Sequence, residues 1–197
     1  MAFQIAQDPA ADAVLTESPF ALLLGMLLDQ QYRMEDAFKG GHKLLTRLGH
    51  LDPRRIAAMD PEAFKEIASQ TPAIHRFPAS MATKVQEVAR IVAEQYDGDA
   101  SRIWTEATSG PDLLKRMQAL PGFGKQKAQI FVALLAKQVG VRLEGWEKAV
   151  GAYAEDGFRS VADVVDGVSL QKVRDYKQAA KAAARATVTG ATEAPVA

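Results

Sequence analysis

The stretch Leu120-Pro121-Gly122-Phe123-Gly124-Lys125-Gln126-Lys127-Ala128 constrains this chain more than any other. Residues 112–119 and 125–137 read as helices on either side of it. Pro121 ends the first, because its ring fixes φ and leaves no N–H to donate. Gly122 and Gly124 admit left-handed or crowded backbone that a β-carbon would forbid. The expected structure is a tight hairpin between two helices, with bare N–H groups gathered at the start of the second. Such a helix start attracts an anion, and phosphate is the obvious one.

The remaining segments also read as helices. Ser18-Pro19 is a cap followed by a first-turn proline, and residues 20–28 are apolar nearly all round, as in a buried helix. That run ends abruptly in Asp29-Gln30-Gln31-Tyr32-Arg33, where the core helix is expected to emerge into a cleft or onto a surface. A second helix is expected over 34–48, weakened in its middle by Gly40-Gly41. Asp52-Pro53 and Asp60-Pro61 start short helices over 53–58 and 61–68, and Pro78 opens a long one to about residue 96. Shorter helices are expected over 101–107, 146–154, 160–165 and 169–186. The first fifteen residues show little periodicity and read as a loose lead-in, and residues 187–197 read as a disordered tail. No segment alternates with period two, so the fold class is all-α.

Composition excludes several chemistries. The chain has no cysteine, hence no disulfide, thiolate zinc site or cysteine-ligated iron–sulfur cluster. His42, His50 and His75 do not recur at metal-ligand spacing, and neither a membrane-spanning run nor a signal-peptide layout is present. The reading is a cytoplasmic, monomeric protein without cofactor or metal. Net charge is zero, but its distribution is uneven. Residues 1–29 carry four acids and no Lys or Arg, whereas residues 113–148 carry seven bases against Glu144 and Glu147. Positive charge gathers around the hairpin.

The pattern L-P-G-x-G-x-x-x-A between two helices resembles the helix-hairpin-helix motif. Pro19-Phe20, the helix ending Leu27-Leu28-Asp29-Gln30-Gln31, and the long helix followed by Asp97-Gly98 extend the resemblance over residues 18–150. Together they are similar to the base-excision DNA glycosylases of the endonuclease III superfamily. The resemblance implies an all-helical, two-lobed fold with a base-binding cleft between the lobes. Residues 30–139 would form one lobe, and residues 1–29 with 140–186 the other. It also implies a double-stranded DNA partner carrying a damaged base, gripped without sequence readout through the hairpin amides.

Carried over residue by residue, the resemblance assigns DNA contacts to Gly122, Gly124, Lys125 and Lys127. It assigns the filling of the space left by a flipped base to Gln31, with Gln30 beside it. Counting from the motif puts Glu144 where the family has a catalytic Asp, and Gln126 where bifunctional members have a lysine nucleophile. Glu144 would stabilise charge on the sugar and activate water, and Asp29 is a second carboxylate candidate. Tyr32 and Trp146 could stack on an extruded base or simply pack in the core. The resemblance thus implies a monofunctional glycosylase without strand cleavage or the cluster of many relatives. The Asp-to-Glu change leaves open a non-catalytic DNA-binding protein, and the neutral charge a helical protein-interaction domain.

Overall fold

In the computed structural model, which describes residues 2–190, the chain is all-helical, and no strand occurs among the described residues. Helix α2 (Pro19–Leu28) is its hub. Ser18 caps it by accepting the Ala21 N–H at 3.1 Å, and every residue from Phe20 through Leu28 is buried. Each large side chain so placed removes apolar surface worth about 1.5–3 kcal/mol from water. Around it pack α1 (Pro9–Glu17), α3 (Met34–Phe38) and α4 (Gly40–Leu48).

In the N-terminal part, two elements depart from the sequence reading. The helix expected over 34–48 is divided into α3 and α4 at Lys39. Gly41 is a contact rather than a weak centre: a β-carbon there would stand 2.8 Å from Ala21 Cβ and 3.1 Å from Ala21 Cα. This close seam joins α4 to α2. The other departure is α1, in a segment read as loose. Asp8 caps it by accepting the Ala10 and Ala11 N–H groups, each at 3.1 Å, with Pro9 in the first turn. Leu15, Phe3 and Ile5 join the core.

Helices α5 (Pro53–Ala58) and α6 (Pro61–Ser69) pack on α7 (Pro78–Gln95), as their Asp-Pro starts imply. Gln86 of α7 donates to the Ile56 and Met59 carbonyls at 3.1 Å each, satisfying acceptors at the end of α5. Helices α8 (Arg102–Thr105), α9 (Gly110–Gln118), α10 (Lys125–Leu134) and α11 (Trp146–Val150) form the following set. A π-helical turn, Leu135–Val139, prolongs α10 to Gly140. Helix α12 (Gly167–Gly190) then returns to the N-terminal elements. There Arg174 pairs with Glu35 of α3, and Lys177 lies 4.0 Å from Asp29 at the end of α2. Residues 187–190 are therefore helical rather than tail, and the rest of the expected tail lies outside the described residues. No single described helix is long and apolar enough to cross a membrane.

Candidate functional site: the hairpin and the cleft

The hairpin between α9 and α10 forms where Pro121 predicts it. Gly122 has φ +81°, the left-handed region, and a β-carbon there would also meet Leu27 Cδ1 at 2.7 Å. Gly124 differs: its φ is −68°, and nothing lies within 4 Å of where a β-carbon would stand. Neither strain nor crowding requires this glycine. As the N-cap of α10 it offers no side-chain acceptor, so the helix opens with uncapped N–H groups; Ala128 donates back to the Gly124 carbonyl at 3.0 Å. A recess of about 550 Å³ fronts the hairpin, with Lys125, Lys84 and Gln30 on its walls.

Two residues on, the helix has turned about 200°, and Lys127 points the other way from Lys125. Its Nζ donates to the Leu27 carbonyl at 2.8 Å, at the C-terminal end of α2. In this geometry Lys127 is half-buried with its ammonium on the Leu27 carbonyl, whereas Lys125 is exposed. Lys127 and Gln126 line both the hairpin recess and a second cavity of about 640 Å³.

That second cavity is a cleft at the end of α2. The end of α2 supplies Asp29, Gln31 and Tyr32, and the C-terminal segment supplies Tyr153, Arg159, Tyr176 and Lys177. The Gln126 amide donates to the Tyr153 hydroxyl at 2.8 Å. Burial pushes the Asp29 carboxyl above the usual carboxylate range, against the opposing pull of Lys177 and Lys127. Burial likewise lowers Lys127 to about 8, although Asp29 works in the opposite direction. The core helix thus ends at the Asp29 carboxyl, and the Lys127 ammonium of α10 lines the same cavity.

Lys127 makes stability depend on pH in a defined sense. Its folded value of about 8 lies below the ordinary 10.5, so between those pH values the unfolded chain holds a proton the folded chain has lost. Unfolding free energy from this group therefore rises as pH climbs from 8 to 10. Because the side chain is partly exposed, solvent screening reduces the effect to about 1 kcal/mol. Urea unfolding at pH 7.5 and 9.5 should show this gain in the wild type and not in Lys127→Met.

Glu144 and Trp146 are placed elsewhere. Glu144 is exposed on the connector before α11 and does not line the cleft; its backbone carbonyl accepts the Gly110 N–H at 2.8 Å. Trp146 is buried, with its backbone against Gly110, and lines a separate recess with Lys137 and Arg142. Counting along the chain locates the connector but not the direction of its side chains. Tyr32 does line the cleft, its ring 4.8 Å from that of His75.

His75 was passed over in the sequence because it lacks metal-ligand spacing. It is buried, and its Nδ1 accepts the Phe77 N–H at 3.0 Å, so Nε2 carries the proton and donates to the Gln30 carbonyl at 2.9 Å. This bond holds the turn in which Gln31 adopts φ +52°. Gln30 and Gln31 both line a smaller recess with His75 and Phe77. Phe77 is 49% exposed, which is unusual for so large an apolar ring, and Arg76 lies over it at 4.7 Å. The only sequence signal for either residue was their place just before Pro78.

Residues 24–189 match the HhH-GPD superfamily of base excision DNA repair proteins. The chain belongs to that superfamily, and its hairpin and all-helical fold are those of a DNA-binding repair protein. No curated protein and no solved structure matches it.

Proposed function

We propose that the protein is a monofunctional DNA N-glycosylase that acts as a monomer, inside the cell, on a damaged or mispaired base flipped out of duplex DNA. The observation that carries this reading is the continuity of hairpin and cleft: Gln126 and Lys127 belong to both. A backbone gripped at the start of α10 would present a neighbouring nucleotide to Asp29. Asp29 is taken as the catalytic carboxylate in preference to Glu144, because it lines the cleft with its side chain only 14% exposed and is held above the usual carboxylate range. It accepts a proton from water and balances positive charge developing on the sugar. Gln31 and Gln30 stand at the turn between the two cavities, suited to filling the vacated stack, and the exposed Phe77 ring is suited to wedging a base step. Gln126, an amide, stands where bifunctional members carry the lysine nucleophile, and the Lys127 amine beside it is held on the Leu27 carbonyl, which supports hydrolysis without strand cleavage.

Gly124→Ala tests the hairpin cleanly. With open space around its β-carbon, the substitution should change stability by less than about 0.5 kcal/mol. It should weaken duplex binding about tenfold, the worth of one hydrogen bond to a charged group. Duplex binding by the wild type should fall steeply with salt. Incubation with duplexes carrying uracil, hypoxanthine, alkylated purine or 8-oxoguanine should leave sites that break only on alkali treatment. Salt-insensitive or absent binding would refute the DNA reading. Binding without base release would favour a non-catalytic binder, and strand breakage without alkali would refute the monofunctional one.

A further inference from the structure

Among the described residues, three cations line the cleft against one carboxylate. Lys177 lies 4.0 Å from Asp29, and Lys127 is coupled to the same group, so one carboxylate must serve two ammonium groups. Arg159 pairs with Glu155 and reaches the Tyr176 hydroxyl at 3.4 Å, yet its Nε is buried with no acceptor among the described residues. The remaining polar wall is hydroxyls and amides, from Tyr32, Tyr153, Tyr176, Gln31 and Gln126.

The geometry points to a substrate class: the cleft takes a neutral base rich in carbonyl acceptors, such as a deaminated or oxidised base, and rejects a base with fixed positive charge, such as an N-alkylated purine. This rests on the reading of the cleft as a base pocket. A cationic base would sit within several Å of an uncompensated ammonium, which lowers affinity about tenfold even with strong screening. Carbonyl oxygens, by contrast, meet the surplus of N–H donors.

Bond cleavage favours the same class. When the C1′–N bond of a neutral nucleotide breaks, its electron pair stays on the base nitrogen. The water oxygen bonds to C1′, its proton passes to Asp29, and the base leaves as an anion until it is protonated. Lys127, at about 8, is mostly protonated at neutral pH and can supply that proton, recovering it from solvent. An N-alkylated purine departs as a neutral molecule and gains nothing from these ammonium groups in the transition state.

The test is equilibrium binding of the full chain to duplexes containing a 2′-fluorinated nucleotide, which resists hydrolysis, with an undamaged duplex as reference. Hypoxanthine or uracil should bind about tenfold more tightly than 7-methylguanine at low salt. Lys177→Glu, on the surface of α12 with a 43% exposed side chain, should narrow that difference to about threefold or less. Equal affinities, or tighter binding of 7-methylguanine, would overturn the proposal. Release from unfluorinated lesions separates the two readings. Selective binding without any release refutes the glycosylase and leaves the substrate class standing. Release of 7-methylguanine ahead of uracil and hypoxanthine overturns the class and leaves the glycosylase standing.

Discussion

Asp29→Asn should lower the single-turnover rate of base release by about 10²–10³ while leaving duplex binding nearly unchanged. Asparagine keeps the volume and one oxygen of the side chain but can neither take a proton from water nor balance a cationic sugar. The hairpin that grips the backbone is untouched, so the loss falls on the chemical step rather than on affinity. In the wild type the rate should rise with pH through an apparent pKa above the usual carboxylate range, because burial lifts Asp29. The companion variant Glu144→Gln should retain activity within about threefold, as substitutions at exposed positions away from the reacting atoms generally do. The opposite pattern, with Glu144→Gln inactive and Asp29→Asn active, would refute the assignment and return the chemistry to the connector.

Gly110→Ala should be the most destabilising small substitution in the α9 region. A β-carbon there would stand 2.4 Å from Trp146 Cα, 2.5 Å from Trp146 N and 2.9 Å from the Gly145 carbonyl carbon. All three are backbone atoms, so no rotamer change relieves the clash, and α9 must move away from the start of α11. The same residue donates its N–H to Glu144 O at 2.8 Å, a bond this displacement would stretch. Overpacking of this kind costs about 3 kcal/mol, which in a chain of this length lowers the midpoint of thermal unfolding by about 6–12 °C. Gly124→Ala makes the contrast, since it adds the same methyl group into open space. A thermal midpoint for Gly110→Ala within 2 °C of wild type would show that the α9–α11 seam is looser than its geometry indicates.

Much of the fold was legible because it is written in short-range chemistry. Asp52-Pro53, Asp60-Pro61 and Ser18-Pro19 start helices where a cap and a first-turn proline require them, and α2 is buried on all sides as its composition demands. The same Asp-Pro signature at Asp8-Pro9 starts α1, in a segment read as a loose lead-in because its apolar residues show little periodicity. Gly40-Gly41 was misread for a different reason. Helix propensity counts against glycine, whereas here Gly41 allows α4 to approach Ala21 of α2.

The candidate site was half legible. Gly122, the hairpin and the exposed Lys125 follow from local sequence, and the polar ending of α2 announced the cavity that Asp29 and Gln31 line. Motif counting carried Glu144 forward, yet its side chain lies on the outside of a connector whose carbonyl is tied to Gly110. The resemblance assigned Lys127 a DNA contact, and what the sequence did not show is that its ammonium donates to Leu27 at the end of α2. Arg159, Tyr176 and Lys177 carried no sequence signal, being ordinary residues of a charged C-terminal segment.

By itself, then, the sequence determined the helical class, most helix starts, the buried hub and the hairpin with its uncapped helix start. These depend on residues no more than a turn or two apart, whose sterics and hydrogen bonds act wherever the segment ends up. Only the tertiary structure decided which side chains share the cleft. Asp29 meets Lys127 from α10 and Lys177 from α12, and burial then moves Asp29 and Lys127 off their ordinary pKa values. Burial and long-range charge depend on what the rest of the chain packs nearby, and no local pattern encodes that.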